Sequence, residues 1–201
     1  MAEAGLESEE TKKFAVSVLN HMREKLIGYQ MEYGNLYGLE ATPAESATFR
    51  FARLDRERFS GIRTAGHEGD TPYYTNSTKL PADYDGTLQG ALINQDSLQP
   101  LYTTGTVFHV YMEQELEDWK QARDLLWGML TEHHIPCFTL SPVYTICQTC
   151  GYLPGRQERC PKCNGAADVY SRIAGYYRPV HDWNDGKAQE FRNRIMFRIG
   201  E

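Results

Sequence analysis

Four cysteines carry the plainest chemistry in this chain. Cys147-x-x-Cys150 and Cys160-x-x-Cys163 are two paired units with nine residues between them. Each unit sets two sulfurs on one tight turn, and two such turns close a tetrahedral S4 site. Gly151, Pro161 and the Asn164-Gly165 pair supply residues that suit such turns, since glycine and asparagine tolerate positive φ. Tetrahedral thiolate sites suit zinc first and iron second. An iron–sulfur cluster or a pair of disulfides would use similar spacings, but paired C-x-x-C units favour structural zinc. A closed S4 site has no open position, so it is read as structural. The fifth cysteine, Cys137, lies in the apolar run Ile135-Pro136-Cys137-Phe138 and is expected to be a core residue.

Two further segments have chemical potential. Downstream of the cysteines, Ser171-Arg172-Ile173-Ala174 leads into Gly175-Tyr176-Tyr177-Arg178-Pro179-Val180. Taken bare, Gly175 is one of 17 glycines and reads as a turn residue. Upstream, Thr42-Pro43-Ala44-Glu45 reads as a helix start with Thr42 at the N-cap, Pro43 at N1 and Glu45 completing a capping box. A helix N-terminus also attracts anions through free N–H groups and the dipole. On the residues alone, plain capping is the favoured reading. Glu40 either faces a ligand or sits in a salt bridge. The histidines receive no role: His133-His134 ends a helix, His67 lies in a loop and His109 is expected to be packed in a strand.

Several elements must position these groups. Residues 8–31 read as an amphipathic helix capped by Ser8, with Phe14, Val18, Met22 and Leu26 inward and Ala15, Leu19 and Ile27 beside them. Residues 35–41, 73–78, 105–111 and 135–140 read as strands. Helices are expected from Thr42 to about Phe59 with Phe49, Ala52 and Leu54 inward, and over 87–98. Another spans 115–133, with Leu116, Trp119, Leu126, Met129 and Leu130 inward and Glu115, Glu117 and Asp118 at its N-terminal end. Residues 60–72 form a loop and 81–86 a turn. Alternating strands and helices point to a parallel sheet, either a small open α/β domain or a piece of a larger barrel.

Composition narrows the field. A hydrophobic content of 41% with 12% aromatics supports a core. The net charge of −6, with interspersed charges, argues against nucleic-acid coating and against a polybasic membrane anchor. No apolar run suits a membrane span, and the acidic MAEAGLESEE start is unlike a signal peptide. The paired cysteines suit a reducing cytoplasm.

From Asn35 to Phe191 the chain resembles the anaerobic (class III) ribonucleotide reductases. The resemblance rests on Asn35-Leu36-Tyr37 with Leu39-Glu40-Ala41-Thr42-Pro43-Ala44-Glu45, on Pro72-Tyr73-Tyr74-Thr75-Asn76-Ser77-Thr78, and on Gly105-Thr106-Val107-Phe108-His109. The cysteine pairs and the Ser-Arg-x-x-Gly-Tyr-Tyr-Arg-Pro-Val loop complete it. It implies the C-terminal part of a ten-stranded α/β barrel of the glycyl radical enzyme type over 1–145, a zinc-ribbon module over 146–168, and a glycyl radical loop and tail over 169–201. Gly175 would hold a radical generated by a radical-SAM activating enzyme, and Zn2+ on Cys147, Cys150, Cys160 and Cys163 would hold the loop in place. Phosphates of a ribonucleoside triphosphate would meet Thr42, Ala44, Glu45 and Ser46. The thiyl cysteine of the family lies upstream of the matching region, so the chain would need an upstream reductase fragment or a full-length reductase. The implied assembly is a cytoplasmic oligomer making deoxyribonucleotides for DNA synthesis, with no nucleic-acid or membrane partner. Two alternatives stay open: a spare part that replaces a damaged glycine loop, and a non-catalytic zinc-ribbon interaction module.

Overall fold

The computed structural model describes residues 5–67 and 69–199. Helix α1 (Glu9–Tyr33) starts where the Ser8 side chain accepts a hydrogen bond from the Thr11 N–H, and it ends at Gly34 in the left-handed region, φ 71°. Helices α2 (Glu45–Arg58) and α3 (Leu88–Asp96) follow. Thr87 caps α3 by accepting from the Gly90 N–H. Strand β1 (Phe108–Met112) then crosses through α4 (Trp119–Glu132) to β2 (Phe138–Pro142). Asp118 caps α4, accepting from Lys120 and Gln121.

Strands β1 and β2 pair in parallel, Phe108 opposite Phe138 and Met112 opposite Pro142. The helix between them makes this a βαβ unit. Alternation decides its two faces. Phe108, Val110 and Met112 pack against Ala91, Leu92, Met129 and Ile135. His109 and Tyr111 point the other way. The expected strands at 35–41 and 73–78 do not form. The first is reduced to a parallel bridge between Glu40 and Gly105, and the second to a bridge between Tyr73 and Ala65. In the second, Ser77 adopts φ 52° and Asn76 turns its carboxamide to the Ala44 N–H, both incompatible with a continuing ladder.

The second half is an antiparallel sheet in the order β4-β3-β5-β6. Its strands are β3 (Tyr144–Cys147), β4 (Gly151–Pro154), β5 (Ala167–Arg172) and β6 (Tyr177–Pro179). Helix α5 (Asp185–Asn193) follows, capped by Asn184 through the Lys187 N–H. Trp183 and Phe191 pack with Val143 and Ile173 to seat α5 on the sheet.

Two expected helix faces are only partly buried: Leu26 of α1, and Met129 with the preceding Leu116 at α4, pack inward as expected, and the other residues expected inward do not join these cores. In α1 it is Leu19 that is buried, against Leu39, Ala41, Leu98 and Tyr102, with Ala15, Val16 and Leu26 beside it. Phe14, Val18, Met22 and Ile27 are exposed, Phe14 at 68%. In α4, Met129 is buried whereas Trp119, Trp127 and Leu130 face outward. Both helices are apolar on more than one side, and periodicity does not say which side this chain covers. Cys137 is likewise exposed, because it precedes β2 instead of lying within it. Among the described residues, no helix is long and apolar enough to cross a membrane.

Candidate metal centre and glycine loop

Strand pairing brings the cysteines together. Cys147 ends β3 directly opposite Gly151, which opens β4 with φ 77°. The second turn closes through the Cys160 N–H to the Gly165 carbonyl at 2.9 Å and the Asn164 N–H to the Cys160 carbonyl at 2.8 Å, with Asn164 at φ 57°. Gly165 eases this turn, since a Cβ would lie 3.3 Å from the Cys163 sulfur, a tight contact.

The four sulfurs lie within 4.8 Å of one another, and Cys147 and Cys163 are 3.6 Å apart. A tetrahedron of Zn–S bonds near 2.3 Å has edges of about 3.8 Å, so the cluster has the dimensions of an S4 site. Cys147 and Cys160 are buried, Cys150 is half-buried and Cys163 exposed. Contact with Cys163, then burial and Cys160, pushes the Cys150 thiol up to about 12. Burial also opposes ionisation of Cys160, but the N–H groups of Cys163 and Lys162 and the thiols of Cys147 and Cys163 hold it down to about 6. The Cys160 thiolate is thus favoured and that of Cys150 disfavoured. A bound dication relieves that conflict, because it stabilises all four thiolates together. The site could hold a metal ion such as zinc, with no open position for catalysis.

The same sheet carries the glycine loop. Ala167 of β5 pairs with Cys147, and the far end of β5 pairs with β6, Arg172 opposite Tyr177. Gly175 lies at the tip between them, where the Ile173 N–H bonds the Tyr176 carbonyl at 3.1 Å. Ile173 and Ala174 are buried and Gly175 is exposed. Gly175 has no positive φ, and a Cβ there would meet nothing within 4 Å. The turn itself therefore does not require glycine.

Arginines fix this tip. Arg172 donates through Nη1 to the Gly175 carbonyl at 2.8 Å and through Nε to the Ser141 hydroxyl at 2.9 Å, with its guanidinium over the Tyr177 ring. Arg194 donates through Nη1 to the Ser171 hydroxyl at 3.2 Å and to the Arg172 carbonyl at 3.4 Å. Its Nη2 donates to Glu190 Oε1 at 3.0 Å, and its guanidinium stacks 3.7 Å from the Tyr111 ring centre. Lys187 takes the other Glu190 oxygen at 2.6 Å. Burial works against the Glu190 charge, yet Lys187 and Arg194 hold its carboxyl below the usual range. Sequence reasoning missed Lys187, Glu190 and Arg194. Their spacing on a short helix, with Glu190 three residues after Lys187 and four before Arg194, was the available signal.

The start of α2 differs from the expected capping box. The N-cap is Ala44, with no side-chain hydrogen bond, and Glu45 is the first helical residue. The Thr42 hydroxyl turns back to Glu40 Oε2 at 3.1 Å. The terminus is instead fixed from outside. Asn76 Oδ1 accepts the Ala44 N–H at 3.4 Å, and Asn184 Nδ2 donates to the Glu45 carbonyl at 3.1 Å. Glu45 and Ser46 thus open the helix without a side-chain cap, as an anion site requires. His109 is more than a packed residue. It lines a cavity of about 110 Å3 and bonds Thr139 at 2.8 Å. Burial first, then Lys79, Arg172, Arg194 and Lys187, drop its pKa to about 3.

The family model for anaerobic ribonucleoside-triphosphate reductase matches residues 1–197. This chain therefore belongs to the anaerobic ribonucleoside-triphosphate reductase family. The Haemophilus influenzae anaerobic ribonucleoside-triphosphate reductase is 24% identical over 200 residues, spanning 94% of this chain and 28% of that protein. A solved anaerobic ribonucleotide reductase superposes with a TM-score of 0.75 at 22% identity, covering 94% of this chain and 29% of the other. The Thermotoga maritima anaerobic ribonucleotide reductase in complex with dATP and CTP gives a TM-score of 0.71 at 22% identity, over 91% and 29%. The fold is thus that of the corresponding part of these reductases, and the chain spans under a third of the relatives it matches.

Proposed function

We propose that this chain is the radical-bearing C-terminal part of an anaerobic ribonucleoside-triphosphate reductase, with Gly175 as the radical site. One observation carries the proposal. Gly175 is a glycine that neither its φ nor its surroundings require, at an open hairpin tip braced by a candidate metal centre. Loss of a Cα hydrogen needs a residue whose backbone can flatten with no side chain in the way. The resulting centre is delocalised between the amide nitrogen and the carbonyl. Arg172 bonds that carbonyl, which fixes the peptide plane and favours electron density on the oxygen.

In this reading a radical-SAM activating enzyme removes the Gly175 hydrogen from the exposed tip. Zn2+ on the four cysteines has a structural role and keeps β3 and β5 in register. An upstream reductase segment supplies the thiyl cysteine that takes the 3′ hydrogen of a ribonucleoside triphosphate. Substrate phosphates meet the N–H groups of Glu45 and Ser46, beside Thr42, and would have to displace Asn76 to reach that of Ala44. A relative solved with dATP and CTP supports a nucleotide ligand. The exposed Phe14, Val18 and Met22 on α1 favour an upstream partner over a spare part that works by its loop alone. The complete enzyme is a cytoplasmic oligomer.

The test is anaerobic electron paramagnetic resonance on the chain mixed with a reduced activating enzyme and S-adenosylmethionine, with and without an upstream reductase portion. The expected result is a doublet that Gly175→Ala abolishes, and cleavage of the activated chain at Gly175 on exposure to air. A signal that survives Gly175→Ala, or an activated chain left intact by air, overturns the assignment.

A further inference from the structure

We infer that the groove between α3, α4 and the tail 195–199 docks an amphipathic helix of a partner protein, one that carries lysine or arginine beside its apolar residues. The groove lies behind β1, on the side opposite His109 and Tyr111, and the inference does not depend on the radical reading.

A glycine is the first observation. Gly128 lies in the interior of α4 and lines the groove. Its φ is not positive, and a Cβ there would meet nothing within 4 Å. Glycine inside a helix is destabilising relative to alanine, so α4 carries a cost that neither its backbone nor its neighbours require. A missing side chain on a groove wall leaves room for another backbone to come close. That is what a helix laid into a groove needs at its crossing point.

The lining is the second. Leu88, Leu92, Leu125, Met129 and Phe197 make an apolar floor, and the groove encloses about 770 Å3. Leu92 and Met129 belong to the core behind β1, so the floor is rigid. The carboxylates of the lining, Asp85, Asp124 and Glu132, are exposed at its rim, against one arginine, Arg198. An apolar floor with an acidic rim is complementary to apolar anchors flanked by cations. An acidic partner would meet like charge here, and this chain's own net charge of −6 disfavours a second copy as the occupant.

His133 is the third. Its side chain is 6% exposed, and its Nδ1 faces Asp96 Oδ1 at 3.8 Å. Its Nε2 is buried and has no hydrogen-bond partner among the described residues. With the ring proton on the Nδ1 side, toward Asp96, Nε2 is an acceptor, and a buried acceptor left unmatched is costly. His133 lines the groove, so a lysine or arginine N–H entering there supplies the donor. Carboxylates at the rim and an imidazole acceptor below them select the same ligand chemistry, a cationic donor on an apolar body.

Fluorescence anisotropy with the whole chain tests this. The probe is a labelled synthetic helix of about four turns, with leucines along one face and lysines beside them. Its controls are a scramble of the same composition and a copy with glutamate in place of lysine. Saturable binding of the probe is expected, with both controls weaker by about tenfold or more. Asp124→Asn combined with Glu132→Gln should weaken the probe by about tenfold and flatten its salt dependence. Glu117→Gln, an exposed carboxylate outside the groove, should leave it unchanged. Gly128→Leu places a side chain in the groove and should abolish binding. Gly128→Ala separates docking from folding: it should raise the thermal midpoint of the free chain by about 2–4 °C while weakening the probe. No saturable binding, a scramble that binds as tightly, unchanged affinity in the groove variants, or a lowered midpoint in Gly128→Ala overturns the inference. Self-association of the chain that Gly128→Leu abolishes also overturns it, because the occupant is then a second copy.

Discussion

Arg194 joins the C-terminal helix to the glycine hairpin, and its replacement by methionine gives a quantitative test of that joint. The Arg194 side chain is 2% exposed and Glu190 is 14% exposed. Methionine keeps an apolar stem of similar length, so the loss is mainly of the guanidinium and of its place over the Tyr111 and Trp183 rings. It leaves the Ser171 hydroxyl and the Arg172 carbonyl without a donor and Glu190 with Lys187 alone. Breaking a buried charge pair by removing one partner costs about 3–5 kcal/mol. Since Lys187 still neutralises Glu190, the low end applies. For a chain of this size each kcal/mol shifts the midpoint by about 2–4 °C, so Arg194→Met should lower it by roughly 6–12 °C. Arg53→Met, which breaks an exposed pair with Glu57, should cost about 0.3–0.5 kcal/mol. Urea unfolding followed by circular dichroism measures both, together with Glu190→Gln and the double variant. Because the two groups share one network, the double variant should cost less than the sum of the singles by about 0.5–3 kcal/mol. An Arg194→Met loss no larger than that of Arg53→Met, or strictly additive singles, would refute the reasoning.

Two further outcomes follow from the metal centre and from His109. Zinc analysis should find a single bound ion per chain, lost with Cys160→Ser or a strong chelator. Near-ultraviolet dichroism from Tyr144 and Tyr170, stacked on β3 and β5, should change far more than the helical signal, and a wild-type chain without metal refutes the site. The pKa of His109 falls from 6.5 to about 3 on folding. The unfolded chain therefore binds a proton that the folded chain refuses, so this contribution is full above pH 6.5 and is lost as pH falls toward about 3. His109→Gln should flatten that part of the stability profile relative to wild type, and identical slopes would contradict the burial of a neutral ring.

What the sequence made legible was local chemistry. Ligand spacing on two turns depends on a few neighbouring residues, so the cysteine cluster could be read directly. The cap at Ser8 could be read for the same reason. The Thr42 capping box had equally good spacing and did not form, because Asn76 and Asn184, distant in sequence, hold that terminus from outside. The faces of α1 and α4 were read correctly only at Leu26, Leu116 and Met129, because an apolar stripe announces burial without saying by what. The Lys187–Glu190–Arg194 spacing was visible but its role was not, for a related reason: its meaning comes from β1 and β5, which deliver Tyr111 and Ser171 to it.

Glycines separate structural need from chemical need in this chain. Gly34 and Gly151 sit at positive φ, and Gly186 lies so close to Phe49 that a Cβ would be 2.6 Å from it. Each is explained by its backbone or its neighbour. Gly175 has neither explanation, as is also true of Gly28 and Gly128 within helices, but Gly175 alone of the three stands at the tip of a hairpin held by Arg172 and Arg194. Arg172 holds its carbonyl, Arg194 holds the residues before Ile173, and the cysteine cluster sits at the other end of β5. A turn that any residue could occupy does not call for such bracing. Under the proposed radical assignment, the absence of a side chain at the Gly175 Cα would be a requirement of the reaction and not of the fold.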